Sequence, residues 1–352
     1  MSDLCVLIMA GGSGERFWPL STKQKPKQLL HIFSEKSLLR KTYERVLPIV
    51  SKGNIFICTN EMQVPELKND LPEINDKNII IEPMFKDTAA AIGYGSLIIN
   101  KYFENPTIVV LASDHLIKDE DEFRKVILIA ESEANKGNII TLGITPTYPE
   151  TGYGYIQVDN NELNILTKSL GFKEKPKFDL AKEYFESKKY LWNSGMFIFN
   201  YSTIMKSFEE YAYSHYKVFK EIDEVIDKNE GLVTTNKVKQ YFDKFEKKSI
   251  DFAVMEKANN IYVIPSSFGW NDVGSYEAFD ELFDKDECGN VVVNSKVCYV
   301  DSRNNIIISQ GNKLNVNLLG ISNKVVAITS DNILICDKNK VQEIKELLKK
   351  VK

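Results

Sequence analysis

Histidine and cysteine are scarce in this chain, and their scarcity excludes several kinds of site. The 352 residues include three histidines, so a histidine-based metal cluster or a histidine general base has few candidates. The five cysteines are widely spaced, and most lie in β-like runs. We therefore expect buried, reduced thiols rather than disulfides or a zinc site.

Long apolar runs and an excess of positive charge are also missing. No run approaches the roughly 18 uninterrupted apolar residues of a membrane-spanning helix, and no basic leader precedes an apolar stretch at the N-terminus. We therefore expect a cytoplasmic location and no membrane partner. The net charge of −4 provides no basic footprint for nucleic acid, so an anionic ligand must be bound locally.

The most informative segment is a glycine-rich run that follows the first apolar stretch. Leu4–Met9 has the length and composition of a strand buried on both faces, and it leads into Ala10-Gly-Gly-Ser-Gly-Glu-Arg16, with Lys25-Pro-Lys-Gln28 close behind. The glycines allow backbone N–H groups to converge on phosphate oxygens. Arg16 and Lys27 add positive charge, so the segment predicts a phosphate-binding loop rather than a simple tight turn.

Two commoner phosphate-binding motifs are absent. No G-x-x-x-x-G-K-[ST] sequence occurs, so a P-loop is not supported. The glycine-rich run also lacks the third glycine of the dinucleotide-binding fingerprint, because Gly14 is followed by Glu15, Arg16 and Phe17.

The pattern of apolar runs predicts two parts. Up to about residue 145, strand-like runs alternate with helical patterns, which is typical of a Rossmann-like α/β domain with a mostly parallel sheet. A mixed region follows, with one long helix predicted over Tyr201–Ile226. After Asp284, short β-rich runs predict a small all-β module that ends in a helix over Lys338–Lys352. We expect a catalytic domain at 1–284 and a C-terminal β-rich domain at 285–352.

Two acidic residues lie where a metal ion is expected. Asp114 comes directly after the apolar strand Ile108–Leu111, and strand ends line the ligand crevice of an open α/β sheet. Asp272 lies in the glycine-bounded loop Phe268–Gly274. Since Mg²⁺ takes one or two carboxylates together with phosphates and waters, the pair predicts a magnesium site. The alternative is that each aspartate is a helix N-cap or a turn residue.

Four further residues are suited to a sugar phosphate. In Glu174-Lys175-Pro176, the carboxylate is suited to accept hydrogen bonds from sugar hydroxyls and the ammonium to meet a monophosphate, although a surface ion pair is the alternative. Asn193 offers an amide for a pair of hydroxyls. Gly152 keeps the backbone slim beside a ligand.

Glu82 and Thr88 lie between a strand and a helix. A glutamate carboxylate matches the N1–H and N2–H₂ donors of guanine. Asp87 or Thr88 is equally suited to be the N-cap of the helix that follows.

The motifs also occur in a fixed order along the chain. After the glycine-rich run and Lys25–Gln28 come Ser113-Asp-His115, Gly152-Tyr-Gly-Tyr155, Glu174-Lys-Pro176, Trp192-Asn-Ser-Gly195 and Trp270-Asn-Asp-Val-Gly274. From Leu4 to about Phe283 this ordered set resembles the sugar-1-phosphate nucleotidyltransferases and, within them, those that take GTP and mannose 1-phosphate. The β-rich tail resembles the β-helix-like C-terminal domain of that family.

The resemblance implies a role for each matched residue. It assigns nucleotide binding to Ala10, Gly11, Gly12, Gly14, Glu82 and Thr88, catalysis to Arg16 and Lys27, sugar-phosphate binding to Gly152, Glu174, Lys175 and Asn193, and Mg²⁺ to Asp114 and Asp272. Two segments depart from the family pattern: Lys86-Asp-Thr-Ala-Ala90 replaces Arg-Asn-Thr-Ala-Pro, and Lys173 replaces a hydrophobic residue.

The expected activity is transfer of GMP from GTP to mannose 1-phosphate, which yields GDP-mannose and pyrophosphate. Bifunctional relatives with a fused isomerase domain are longer, so we expect transferase activity alone. One alternative is another substrate pair, such as UTP or dTTP with glucose 1-phosphate. Another is a nucleotide-sugar sensor without turnover. We further expect a homodimer joined through the C-terminal region.

Overall fold

The computed structural model describes residues 3–12, 14–226, 235–311 and 314–351. Its strands are, in chain order, β1 (Leu4–Met9), β2 (Ile55–Thr59), β3 (Ile79–Ile81), β4 (Thr107–Ala112), β5 (Leu116–Ile117), β6 (Ile139–Ile144), β7 (Tyr155–Val158), β8 (Thr167–Lys173), β9 (Tyr190–Asn200), β10 (Ile261–Ser266), β11 (Trp270–Asn271), β12 (Val291–Val293), β13 (Lys296–Val300), β14 (Ile306–Ser309), β15 (Asn315–Leu319), β16 (Lys324–Ile328) and β17 (Ile333–Asp337).

The α-helices are α1 (Leu38–Val46), α2 (Val64–Asp70), α3 (Asp87–Tyr102), α4 (Glu120–Ala134), α5 (Phe178–Ser187), α6 (Tyr201–Tyr211), α7 (Tyr213–Val225), α8 (Thr235–Phe242), α9 (Phe279–Leu282) and α10 (Ile344–Leu348). A π-helix over Asp251–Met255 and short 3₁₀ turns complete the framework, the turns including Glu15–Phe17 and Lys27–Leu29 in the glycine-rich region. Among the described helices, none combines the length and the apolar composition that crossing a bilayer requires.

A nine-stranded sheet forms the centre of the larger part, in the order β3-β2-β1-β4-β9-β6-β10-β8-β7. Strands β1 to β4 are mutually parallel and β6 pairs in parallel with β10, whereas β8 and β9 run opposite to the others. The predicted Rossmann-like, mostly parallel sheet is therefore confirmed. Because β1 to β4 run in the same direction, their carboxyl ends meet at one edge, where the glycine-rich run and Asp114 follow β1 and β4.

Both faces of this sheet are covered by helices. Side chains on β1 alternate between the two faces, so that Val6 and Ile8 pack with α1 and α4, while Cys5 and Leu7 pack with α3, α6 and α7. Burial on both faces explains why β1 is a nearly continuous apolar run. The prediction of buried, reduced thiols is confirmed at Cys5 and Cys58. It is wrong at Cys288 and Cys298, which are exposed in the C-terminal part, and Cys336 is half-buried; all five are free thiols.

The C-terminal part winds between two small sheets. Strands β12, β14 and β16 pair in parallel, β17 adds to β16 in the antiparallel sense, and β13 pairs in parallel with β15. From β12 to β16, successive strands thus alternate between the two sheets, which is the path of a short β-helix. One face of the larger sheet packs against Phe17, Tyr276 and Phe279 of the preceding part.

Two helix predictions are wrong. The helix expected over Tyr201–Ile226 breaks at Ala212, whose backbone (φ −143°, ψ 55°) leaves the helical region. The break lets α6 and α7 pack together, with the rings of Phe208 and Phe219 at 4.9 Å, so that both are buried.

The helix expected over Lys338–Lys352 is a 3₁₀ segment, Lys338–Glu343, followed by the short α10. Its buried residues, Lys338, Val341 and Ile344, recur every three positions. That spacing matches the 3₁₀ period rather than the α period.

Candidate active site

Two glutamine side chains hold the glycine-rich loop open. The amide of Gln28 donates to the carbonyl of Ala10 at 2.8 Å, and the amide of Gln63 donates to the carbonyl of Gly12 at 3.2 Å. Within the described part of the chain, the backbone N–H groups of Gly11 and Gly12 have no hydrogen-bond partner. The loop therefore presents unpaired donors, as a phosphate cradle requires.

Gly14 adopts a backbone that a side chain would disfavour. Its φ is +63°, and a Cβ atom there would lie 2.7 Å from the backbone nitrogen of Lys27. The turn can therefore bring Lys27 against the loop only because residue 14 is glycine.

Arg16 lies on the Glu15–Phe17 turn and faces a cleft. This cleft has a volume of about 120 Å³, and Gly152, Asp272 and Gln342 also line it. The hydroxyl of Tyr276 donates to the carbonyls of Phe17 (3.0 Å) and Trp18 (3.2 Å), which holds the turn in place. Arg16 forms no ion pair with any residue that the structure describes, so its guanidinium is available to a ligand.

Lys27 is buried at the centre of the site. Its ammonium nitrogen lies 2.8 Å from Asp114 Oδ2, and it donates to the carbonyls of Asp272 and Val273 at 2.8 Å each. The side chain is 6% exposed. Lys27 therefore links the end of β4 to the loop after β11.

The two predicted metal ligands lie on segments that pair with each other. β5, which follows Asp114, is antiparallel to β11, which precedes Asp272, and Trp270 Nε1 donates to His115 Nδ1 at 3.1 Å across this pair. Asp272 Oδ1 accepts hydrogen bonds from the Tyr153 hydroxyl (2.8 Å) and the Gly274 N–H (3.0 Å).

The charges around Asp114 favour its ionised form. Burial alone raises its pKa, but the charge of Lys27, together with His115 and local hydrogen bonds, outweighs burial and holds the pKa of Asp114 below its ordinary value. Burial lowers the pKa of His115, although the charges of Asp114 and Asp272 oppose this effect.

An ionised Asp114 and the carboxylate of Asp272 suit a hard divalent cation. Over the described ranges, no group of three or more His, Cys, Asp or Glu side chains is placed to hold a metal. The carboxylates of Asp114 and Asp272 fit Mg²⁺, which is commonly bound by one or two carboxylates while phosphates and waters supply the other ligands.

Glu82 lies beside the glycine-rich loop. A Cβ atom on Gly11 would lie 3.6 Å from Glu82 Oε2, and the side chain is buried. Burial raises the pKa of Glu82 to about 7, although a hydrogen bond from the Lys86 N–H opposes this effect. A carboxyl group in this position can either accept or donate hydrogen bonds near neutral pH.

Thr88 is engaged with the protein itself. Its hydroxyl accepts a hydrogen bond from the Ile250 N–H at 2.9 Å, which ties the start of α3 to a neighbouring segment. Asp87 Oδ1 accepts from the Thr88 N–H at 2.8 Å. A contact between Thr88 and a nucleoside stays a prediction.

The predicted sugar-phosphate residues gather around Gly154. Its carbonyl accepts a hydrogen bond from the Asn193 N–H at 2.8 Å, and a Cβ atom there would lie 3.3 Å from Glu174 Oε2. Gly152 is two residues away and lines the cleft beside Arg16. The ammonium of Lys175 pairs with the carboxylate of Glu174 at 3.1 Å, and both side chains are exposed. Contacts of Glu174 and Lys175 with a sugar phosphate stay predictions.

Asp251 belongs to the same neighbourhood and was not predicted. Its Oδ1 accepts a hydrogen bond from Asn193 Nδ2 at 2.9 Å, while Asn193 Oδ1 accepts from the Gly195 N–H at 3.0 Å. The orientation of the Asn193 amide is thereby fixed. Burial raises the pKa of Asp251, and the nearby charge of Glu174 adds to that effect.

Comparison with known proteins gives matches along nearly the whole chain. Residues 5–288 match the family model described as nucleotidyl transferase, and residues 295–351 match one described as a MannoseP isomerase/GMP-like beta-helix domain. The second match confirms the expected β-helix-like C-terminal domain.

Similar proteins and a similar crystal structure support membership of the same family. A mannose-1-phosphate guanylyltransferase of Salmonella muenchen is 36% identical over 99% of this chain and 73% of its own length, and one of Escherichia coli is 34% identical over 99% and 75%. A crystal structure described as mannose-1-phosphate geranyltransferase from Thermus thermophilus has a TM-score of 0.87 and 31% identity, and the match covers 99% of both chains.

Proposed function

Because this chain belongs to the nucleotidyl transferase family, we propose that it transfers GMP from GTP to mannose 1-phosphate, which yields GDP-mannose and releases pyrophosphate. The observation that carries the proposal is the 36% identity to a mannose-1-phosphate guanylyltransferase over 99% of the chain. The site agrees with this reaction, since Arg16 and Asp272 line one cleft, and Lys27 joins the Asp272 carbonyl to the carboxylate of Asp114.

The reaction needs positioning and charge neutralisation more than proton transfer. A phosphate oxygen of mannose 1-phosphate attacks the α-phosphorus of GTP, and the bond from that phosphorus to the β-phosphate oxygen breaks. The attacking oxygen is already ionised near neutral pH, so a general base is not required. We propose that the triphosphate oxygens are bound by the N–H groups of Gly11 and Gly12 and by the guanidinium of Arg16.

A divalent cation, which we propose to be Mg²⁺, completes the charge balance. Asp114 and Asp272 would hold it, and when bound it would neutralise negative charge on the phosphates. Lys27 supplies a fixed positive charge between the segments that carry these two residues.

Specificity is assigned to two groups of residues. Glu82, beside the loop, is proposed to recognise the guanine edge, with Thr88 nearby. Glu174 and Asn193 are proposed to bind sugar hydroxyls, while Lys175 and the backbone at Gly152 bind the phosphate of the sugar. Asp251 orients the Asn193 amide and so belongs to the second group.

A substrate panel tests this proposal. Purified protein with Mg²⁺ is given GTP, ATP, UTP or dTTP together with mannose 1-phosphate or glucose 1-phosphate, and pyrophosphate release is measured. We expect GTP with mannose 1-phosphate to have the highest kcat/KM. A preference for UTP or dTTP with glucose 1-phosphate contradicts the assignment of substrates. Binding of GDP-mannose without pyrophosphate exchange indicates a sensor.

Three further statements stay predictions: the domain boundary between residues 284 and 285, the cytoplasmic location, and a homodimer joined through the C-terminal region.

A further inference from the structure

The ammonium group of Lys27 has no hydrogen-bond donor to spare. An ammonium carries three N–H groups. The three partners of Lys27 are Asp114 Oδ2 and the carbonyls of Asp272 and Val273, each at 2.8 Å. Lys27 can therefore contact a phosphate oxygen only after one of these interactions is released.

The two carbonyl interactions hold a turn that needs support. Val273 has φ of 48°, a backbone conformation that is costly for a β-branched residue. Its N–H donates to Asn271 Oδ1 at 2.7 Å, and its carbonyl accepts from Lys27. Losing the carbonyl contacts would loosen the loop that carries Asp272.

The interaction with Asp114 is the one that can be exchanged. The side chain of Asp114 is 35% exposed, so a cation from solvent can reach it. A divalent cation attracts a carboxylate more strongly than an ammonium does and repels the ammonium itself. Cation binding at Asp114 therefore weakens the pair with Lys27 and leaves the carbonyl contacts intact.

We propose that Lys27 and a divalent cation compete for Asp114. In the ligand-free protein the ammonium of Lys27 forms an ion pair with the carboxylate of Asp114 and neutralises its charge. When the cation binds, one N–H of Lys27 is released toward the phosphate site, so that the lysine engages substrate only after the metal has arrived. This inference rests on the metal site of the proposed function.

Manganese binding without nucleotide tests the competition. Mn²⁺ is titrated into wild type, Lys27→Met and Lys23→Met, and free Mn²⁺ is followed by electron paramagnetic resonance. Lys23 is exposed in the same region, so its substitution is a control for the change in net charge. Lys27→Met also removes the carbonyl contacts of the Asp272 loop, but we expect the loss of the competing charge to outweigh this, so that Lys27→Met binds Mn²⁺ at least about fivefold more tightly than wild type. Lys23→Met is expected to match wild type. Equal or weaker binding by Lys27→Met overturns the proposal.

Asp114→Asn separates a failure of this inference from a failure of the proposed function. If wild type binds Mn²⁺ and Asp114→Asn does not, the metal site stands, and an unchanged Kd in Lys27→Met refutes only the competition. If Asp114→Asn binds Mn²⁺ as wild type does, the metal assignment of the proposed function is wrong and the competition falls with it. The substrate panel then reports independently on the transfer reaction.

A measurement on the wild-type protein does not depend on how the variants fold. Brief treatment with an acetylating reagent, followed by peptide mass spectrometry, gives the reactivity of each lysine with and without Mg²⁺. Lys338 is the matched control, because it is also buried and its ammonium also has three oxygen partners, on Asp280 and Asn304. We expect Mg²⁺ to raise the acetylation rate of Lys27 several-fold and to leave Lys338 unchanged. No change at Lys27 contradicts the proposal.

Discussion

Glu82 is a carboxyl group buried beside the phosphate loop, and its protonation affects stability. Burial raises its pKa from 4.5 to about 7, so the folded state binds the proton more tightly than the unfolded state does. The stability that protonated Glu82 contributes is full at low pH and is lost as pH rises through about 7. The side chain at position 82 cannot titrate in Glu82→Gln. We therefore expect the free energy of unfolding of Glu82→Gln minus that of wild type to increase with pH, by up to about 3 kcal/mol.

Urea unfolding of both proteins at pH 5 and pH 8, without nucleotide, measures this difference. Glu61→Gln is the control, because Glu61 is an exposed glutamate on a neighbouring turn. Its free energy of unfolding should follow that of wild type at both pH values. If the difference between Glu82→Gln and wild type is the same at the two pH values, Glu82 does not titrate as described.

Asp251 illustrates why part of the site could not be predicted from the sequence. Asp114 and Asp272 could be found because each lies in a recognisable context, at a strand end or in a glycine-bounded loop. Asp251 lies in a mixed polar and apolar segment without such a context, 58 residues from Asn193. Only the packing of that segment beside β9 brings the two side chains together. A contact between residues so far apart leaves no spacing pattern in one sequence.

At the scale of elements, the glycine-rich loop contains one glycine that folding requires, Gly14, and one that we expect phosphate binding to require, Gly12. The backbone at Gly14 has a positive φ, and a Cβ atom there would lie 2.7 Å from the Lys27 backbone nitrogen. A Cβ atom on Gly12 would meet nothing within 4 Å. We expect Gly14→Ala to lower the free energy of unfolding by at least about 1 kcal/mol. We expect Gly12→Ala to leave stability unchanged but to raise KM for GTP about tenfold, because the new methyl group fills the space that phosphate needs.

Urea unfolding measures the stability of both variants, and pyrophosphate release measures KM. Each variant is the control for the other, since both replace glycine by alanine in the same loop. A stable Gly12→Ala protein with unchanged KM would show that phosphate does not approach residue 12. An undiminished stability of Gly14→Ala would show that the turn can relax away from Lys27.

Strands were easier to predict than helices in this chain, and the reason is physical. β1, β2 and β4 are buried on both faces, so their sequences are apolar except for a terminal threonine in β2 and in β4, and polar residues or glycine follow them. The break between α6 and α7 has no such mark, because alanine at position 212 is a good helix former. Packing of Phe208 against Phe219 decides that break, and it is a tertiary effect.

At the scale of the whole molecule, the two predicted domains share a hydrophobic core. Phe17, Tyr276 and Phe279 pack against Val291, Ile306 and other residues of the C-terminal sheet. Cutting the chain at residue 284 would therefore expose the buried side chains that support the Arg16 turn. A test of the predicted dimer should accordingly use the full chain, with its mass in solution as the measurement.

A buried lysine strengthens this junction and provides a test of its cooperativity. Lys338 donates to both carboxylate oxygens of Asp280 at 2.9 Å and to Asn304 Oδ1 at 3.0 Å. Lys285 also pairs with Asp280, at 3.2 Å, but its side chain is 41% exposed. We expect Lys338→Met to lower the free energy of unfolding by about 2 kcal/mol, since it leaves Asp280 and Asn304 without their buried partner. Lys285→Met should cost no more than about 0.5 kcal/mol.

Calorimetry of wild type and both variants measures the cost and the cooperativity together. Because the shared core couples the two parts, we expect one unfolding transition in each protein, with the transition of Lys338→Met shifted as a whole to lower temperature. If Lys338→Met instead separates into two transitions and the larger keeps the wild-type Tm, the C-terminal part unfolds independently. The catalytic part would then not depend on it, and residues 285–352 could be removed without disturbing the Arg16 turn.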